Sequence, residues 1–460
     1  MVKRQTWAII KLLLLKKTEH MLSKNFKFRG CTFFVKMMVV GFLKSSSCMF
    51  KSVTLAFSFL LVFYNHALSQ STSLKIRVDP NKTYGCKISD FFDQVEFIPL
   101  ETNKKSLFGE AHQFIVTSKS FVIYDDDSKS VLFFSNDGKL ISRVRIGEQT
   151  VSNITMDGEK QNIIVRSYNY NTNNESVDIY SPIGVKLGQA GKNKSAYPAG
   201  RKISLEDNFS AFVPDFSVPV GEPGVDTVYN LIQIYQKDKL IRSFLPYNQK
   251  KNLGFCTIGG ALSVPNTADD RGNVYVSTPL EHFLYKISKD TAIKLGQFIF
   301  PADRSVSDDI IYSEDKNAVA KAFKKTSGIK TILDVSNVFF HKNLLFFKIN
   351  TRQFTSFQGS EGVYLYNFVY DTSSGKAFSL ERATIDSLSA YLPVLGNNSH
   401  VKGLVNYKGY IYSTLSSFQL FSAYDKLKSG NIKFPAVIEK YFATQNRKSN
   451  PVIVRMRIKG

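Results

Sequence analysis

The chain has 460 residues, 43% of them hydrophobic and 13% aromatic, which is enough to build a large core and excludes a disordered polymer. Its formal charge of +22 is concentrated at the start, because residues 1–69 hold eleven Lys or Arg against Glu19 alone. The remaining excess is spread thinly, and no basic stripe interleaves with aromatics as a nucleic-acid track would. The four cysteines contain no C-x-x-C pair, so a zinc site of the usual spacing is excluded.

Residues 1–48 contain two apolar stretches, Ala8–Leu15 and Cys31–Leu43, interrupted by Lys11 and Lys36. Neither reaches the roughly 18–20 apolar residues of a membrane span, and the segment reads as upstream sequence translated from a start placed too early. Residues 49–69 have the order of a secretory signal peptide: Lys51, the apolar run Ser52–Tyr64, and the small-residue site Ala67-Leu68-Ser69. Cleavage is expected between Ser69 and Gln70; a single N-terminal anchor helix is the alternative. No cysteine directly follows the apolar run, so a lipid anchor at the new N-terminus is not expected. Only Cys86 and Cys256 remain after cleavage, and their pairing stays open.

From residue 75 onward the chain is expected to form one β domain ending at residue 460. Gln113–Thr117, Phe121–Tyr124 and Val131–Phe134 are short apolar runs, and runs apolar on both faces are covered on both faces. Lys139–Ile146 alternates, with Leu140, Val144 and Ile146 on one side and Arg143 and Arg145 on the other, as in a strand with one wet face. Four such strands make one propeller blade. The phrase recurs over residues 162–189, 209–244, 273–298 and 343–380, with tight hairpins near Gly138, Gly184, Asp238, Asp290 and Gly375. Successive gaps of about 46, 54, 52 and 85 residues suit propeller blades except the last, which holds an Ala/Lys-rich stretch expected to be a short helical insertion near residues 305–328. A fainter sixth unit spans His400–Asp425. The terminal "PVIVRMRI" is expected to complete a blade with the early "DQVEFIPL", closing the ring and removing exposed edges. The fold class is therefore all-β, a six-bladed β-propeller of four-stranded antiparallel blades; an open β-sandwich is the alternative.

"FFDQVEFIPLET", "FVIYDDDSKSVLFFSNDGKLISRVRIG" and the terminal "NPVIVRMRIK" resemble the six-bladed β-propeller family, with NHL-like blades, exported by Bacteroidetes-type bacteria. The resemblance covers about residues 75–460 and implies an extracytoplasmic propeller of mostly unassigned function, often a lipoprotein. The missing lipidation cysteine departs from that pattern, and so does "RIGEQTVSNI", which stands where relatives carry several glycines. The resemblance carries over no catalytic residue.

No G-x-S-x-G, H-E-x-x-H or Walker A motif occurs, and His112, His282, His341 and His400 are not paired at ligand spacing. Asp125, Asp126 and Asp127 offer hard oxygen ligands suited to Ca²⁺, yet Asp is also a common turn former, and the turn is the preferred reading, with no metal site assigned. If the strands of a blade are numbered from the channel outward, second-to-third connections share one face of the disc. Three of these are long: residues 167–176, 214–227 and 350–362. They hold Tyr168, Tyr170, Asp215, Phe216, Arg352, Phe354 and Phe357. With the loop 125–129, whose Asp125, Asp126 and Asp127 are also candidate ligand-binding residues, they are expected on one side of the disc, and exposed loop aromatics suit sugar rings or a protein partner. The expected function is an exported binding or interaction module for a glycan or protein ligand, periplasmic or at the cell surface. It is expected to be monomeric, without a cofactor, nucleic-acid partner or membrane span after signal removal. The alternative is a propeller enzyme (lactonase, lyase or glycan-active) with a central-channel site, with or without Ca²⁺.

Overall fold

The computed structural model describes residues 73–157, 160–172, 174–189, 200–214, 228–237, 239–248, 268–269, 271–315, 317–318, 321–322, 330–354, 360–396 and 404–460. The expectations for residues 1–48 and the signal segment, with Ser69 and Gln70, lie outside them.

In chain order, β1 (Leu74–Arg77) and β2 (Phe92–Pro99) precede the first complete blade, β3 (Gln113–Val116), β4 (Ser120–Asp125), β5 (Ser130–Ser135) and β6 (Leu140–Arg145). Blade two holds β7 (Thr150–Met156), β8 (Ile163–Asn169), β9 (Asn174–Tyr180) and β10 (Lys186–Gln189). Blade three holds β11 (Gly200–Ser204), β12 (Phe209–Pro214), β13 (Val228–Gln236) and β14 (Lys239–Asn248). Blade four has β15 (Val274–Ser277), β16 (Phe283–Ile287) and β17 (Ala292–Ile299). Blade five has β18 (Lys330–His341), β19 (Leu344–Phe354), β20 (Ser360–Asp371) and β21 (Lys376–Ser379), and blade six β22 (Val405–Tyr407), β23 (Tyr410–Leu415) and β24 (Val452–Ile458). The two early strands complete two late sheets, in the orders β1-β17-β16-β15 and β2-β24-β23-β22. Six four-stranded sheets result, and the six-bladed propeller read from the repeats is the fold.

The continuous apolar runs have a direct cause. Every residue of β4 is buried, and successive side chains point to opposite faces. Phe121 and Ile123 pack with Tyr412 and Ile453 of blade six, while Val122 and Tyr124 pack with Val151 and Val165 of blade two. A blade held between two neighbours has no wet face until its outer strand, where Ile141 and Arg145 are exposed. The hairpins need glycine: Gly138 (φ +87°) and Gly184 (φ +81°) sit in the left-handed region. A Cβ would press on the Pro99 carbonyl at the first, and on Ser142 and Phe133 at the second.

Ring closure follows the expected pair. β24 lies between β23 and β2, with Ile453 opposite Ile98 and Val454 opposite Phe97. The two family-like ends meet at Asn450, whose side chain is fully buried. Its Nδ2 donates to the carbonyls of Glu101 (2.6 Å) and Ser106 (2.8 Å), and its Oδ1 accepts from the Phe108 N–H at 3.1 Å. The Glu101 carboxylate accepts from the Leu140 N–H, tying the same loop to β6.

Three expectations change. The blades are not wholly antiparallel, since β1 runs parallel to β17. From there the chain passes the outer edge of blade five, bridging Tyr84 to Phe378 and Lys87 to Thr384, before entering blade six as β2. The sixth unit does not continue as strand to Asp425: Ser417–Leu427 is a helix, followed by a second, Ala436–Thr444. The Ser416 hydroxyl caps the Gln419 N–H, and Leu420, Tyr424 and Leu427 fall at helical spacing, which overrides the β-like aromatic content. Among the described residues, the insertion before blade five holds a 3₁₀ turn, Ala302–Arg304, one helical turn, Asp308–Ile311, and helical residues 317–318 and 321–322 in the Ala/Lys-rich stretch, so it is helical as expected but starts slightly earlier. Cys86 is a buried free thiol pushed up to about 12, chiefly by burial; Cys256 lies outside the described residues.

Candidate functional site

The candidate residues belong to the connections β4–β5, β8–β9, β12–β13 and β19–β20, each joining the second and third strands of its blade. In β4–β5 the aspartates build a turn. Asp125 is fully buried, its carboxylate accepting from the backbone N–H of Glu110 and of Ser128, both at 3.1 Å. Asp126 accepts from the Tyr124 hydroxyl (2.6 Å) and the Lys129 ammonium (2.7 Å). Those two hydrogen bonds, Lys129 first, hold its carboxyl below the usual range. Burial and the Asp126 carboxylate push the Tyr124 hydroxyl up. The Asp126 N–H donates to His112 Nδ1 at 3.1 Å, tying the turn to the loop before β3. Asp127 is exposed and lies against Gly109, where a Cβ would collide with its carboxylate. Asp125 and Asp126 are thus spent on backbone and neighbours, as the turn reading requires.

Residues 167–169 and 174–176 prove to be strand, so the β8–β9 loop is shorter than its sequence suggested. Tyr168 is a half-buried residue of β8, and Tyr170 stands beyond the strand with 76% of its surface exposed. Their rings meet edge to face at 4.9 Å, which holds Tyr170 in a defined orientation. The Asn169 carboxamide accepts from the N–H groups of Asn171 and Thr172, closing the turn beneath it. Arg352 and Phe354 also belong to a strand, since β19 stays paired with β20 as far as Phe354 opposite Ser360. Asp215, Phe216 and Phe357 lie outside the described residues.

Sequence reasoning missed the connection between the second and third strands of blade six, which carries the helix pair. Phe421, Tyr424, Phe434, Tyr441 and Phe442 interlock between the helices, with Tyr424 and Phe442 stacked at 4.0 Å. The Tyr441 hydroxyl donates to Ser417 (2.7 Å), whose own hydroxyl donates to the Asn450 carbonyl, so the pair is rooted in the closure clasp. Phe418 remains 61% exposed beneath the Arg447 guanidinium. Ser416 as a cap and Pro435 just before the second helix were the available signals.

Among the described residues, no three or more His, Cys, Asp or Glu side chains gather as a metal ion would need. None of their helices is long and apolar enough to cross a membrane.

Comparison with known proteins agrees with this architecture. Residues 67–149 match a family model described as 6-bladed beta-propeller. A Bacteroides fragilis protein described as exported is similar in structure at 13% identity and a TM-score of 0.56, covering 84% of this chain and 100% of its own. A protein of unknown function from Bacteroides thetaiotaomicron follows at 11% identity and TM-score 0.34, covering 80% and 76%. A catalytically inactive virginiamycin B lyase from Staphylococcus aureus is matched at 11% identity and TM-score 0.28, over 54% and 78%. At these identities the likeness speaks for the fold alone, and the last two scores carry no argument. No curated protein matches the chain. The six-bladed propeller drawn from the sequence stands on the family match, the Bacteroides fragilis neighbour and the six sheets.

Proposed function

We propose that this chain is an exported binding or interaction module, periplasmic or at the cell surface, that takes a glycan or protein ligand on the face formed by its second-to-third connections. The observation that carries the reading is Tyr170, exposed beyond β8 and braced by Tyr168. A large ring held in one orientation offers contact area at little entropic cost. The helix pair of blade six belongs to the same class of connection and adds an exposed Phe418 against the Arg447 guanidinium. A glycan and protein binding screen tests the reading. A ligand bound by the wild type and lost in Tyr170→Ala, with an unchanged melting temperature, is the expected result. Turnover of a screened compound would favour the enzyme instead.

Export is a separate expectation. N-terminal sequencing of protein from the cell envelope should begin at Gln70, and a start at Met1 or Met49 would contradict it.

A further inference from the structure

The face of blade five that meets blade six changes character along its length. Near the β18–β19 hairpin it is apolar: Phe339 and Phe346 lie opposite one another, stack at 4.9 Å, and join a cluster with Phe92, Ile411 and Val454. Lys348 and Asn350 follow Phe346 at two-residue steps and so share its face. Here the register sets Ser336 against Lys348 and Asp334 against Asn350. Lys348 is only 6% exposed. Asn350 Nδ2 donates to the Asp334 carboxylate and, at 3.1 Å, to the Ser336 hydroxyl. Its Oδ1 is buried and accepts no hydrogen bond. Burial pushes the Asp334 carboxyl up to about 6, against the opposing pull of Asn350 and of the Lys348 charge.

Such a group does not belong in a core interface. Buried polar atoms are normally paired, and a carbonyl oxygen withdrawn from water without a donor is a cost that packing alone does not return. The cluster straddles the middles of β18 and β19, with Asp334 and Asn350 on the halves remote from the hairpin, toward the connection that follows Phe354, one of the connections of the proposed ligand face.

We propose that Asp334, Ser336, Lys348 and Asn350 form a subsite for adjacent hydroxyl groups of a neutral sugar ring. The mixed lining selects the ligand's chemistry. An anion entering here would meet the Asp334 carboxyl, and a cation the Lys348 ammonium. A hydroxyl both donates and accepts: it donates to the free Asn350 Oδ1 or to Asp334, and accepts from Lys348. Two neighbouring hydroxyls satisfy the set without leaving a net charge buried. The subsite rests on the glycan form of the reading above and gives it a location.

The full chain is titrated, by calorimetry and saturation-transfer NMR, with the methyl glycosides of glucose, galactose, mannose and N-acetylglucosamine, and with glucuronate and glucosamine. At least one neutral glycoside should bind, more tightly than either charged sugar. Asn350→Leu and Lys348→Met should each weaken it by about tenfold or more at unchanged melting temperature. Should either variant fail to fold, Ser336→Ala, which keeps the shape of the site, must still weaken binding. The subsite is overturned if no neutral glycoside binds, if a charged sugar binds more tightly, or if the folded variants bind like the wild type. Binding lost in Tyr170→Ala but kept in Asn350→Leu would overturn the subsite and leave the loop-face reading intact. Binding lost in Asn350→Leu and indifferent to Tyr170→Ala would uphold the subsite and remove the loop aromatic from recognition.

Discussion

Asn450 shows how a residue can be visible in sequence while its work is not. "NPV" marks the end of the chain and "IPLET" its beginning, but only the folded ring brings the Asn450 carboxamide onto the Glu101 and Ser106 carbonyls and the Phe108 N–H. Asn450→Asp turns a double donor into an acceptor facing two carbonyl oxygens. It should cost about 3 kcal/mol or more, read from denaturant midpoints. Two titratable groups, the buried His282 and the half-buried Asp334, could not be told from surface residues by spacing. The His282 backbone lies in the left-handed region (φ +57°), while its ring packs edge to face on Phe300 and has neither nitrogen hydrogen-bonded. Burial pushes it down to about 3 from 6.5. The folded protein keeps this ring neutral while the unfolded chain takes up a proton, so its stabilising share is complete above pH 6.5 and is lost as pH falls toward 3. Asp334 works in the opposite direction: raised from 3.8 to about 6, it favours the fold below pH 3.8, and that advantage disappears as pH rises to 6. In thermal melts, His282→Gln should flatten the acid-side loss that begins below pH 6.5. Asp334→Asn should raise stability above pH 6 by at most about 3 kcal/mol, with little change below pH 3.8. Unaltered pH profiles in both variants would mean that these side chains reach water.

At the scale of elements, the most readable strands were those held between two neighbouring blades. β4 and β5 are continuous apolar runs because both faces of the sheet are covered, and Gly138 and Gly184 punctuate the β5–β6 and β9–β10 hairpins because only glycine fits the close approaches there. The sixth blade was faint for a physical reason. Its four strands come from three places in the chain, with two helices between β23 and β24, so no single window carries the repeat. β1 was not singled out as a strand, since four residues of "LKIR" hold one buried side chain, Ile76, and its partner lies far along the chain. The terminal strand was legible by alternation, and its position is more demanding than an edge: β24 is hydrogen-bonded on both sides. Deleting residues 451–460 removes six buried residues, Pro451, Val452, Ile453, Val454, Met456 and Ile458, and should leave an insoluble or unfolded product. The milder Ile453→Ala should lower stability by about 2–5 kcal/mol. A truncated chain that melts like the full one would refute this closure.

Across the whole molecule, one segment manages the sheet edges that a ring of blades exposes. Residues 74–99 run along the outer edge of blade four as β1, bridge to blade five at Tyr84 and Lys87, and supply the outer strand of blade six. Unpaired edges invite association with other chains, and this belt covers or completes three of them. The ring also explains which parts of the candidate site sequence could foresee. Strand order assigned the connections to blade positions without coordinates, and Tyr170 stands exposed in one of them. Local sequence did not reveal that Arg352 and Phe354 continue a strand, because the β19–β20 pairing depends on register rather than composition. It gave no hint that Asp334 and Asn350, sixteen residues apart, would meet across two strands. The central claim, that the face of the second-to-third connections holds the ligand, is tested most directly by hydrogen–deuterium exchange of the full chain with and without the ligand found in the screen. The account predicts added protection at residues 126–129, 170–172 and 416–448. Protection confined to the opposite hairpins at 136–139, 181–185 and 372–375 would contradict it.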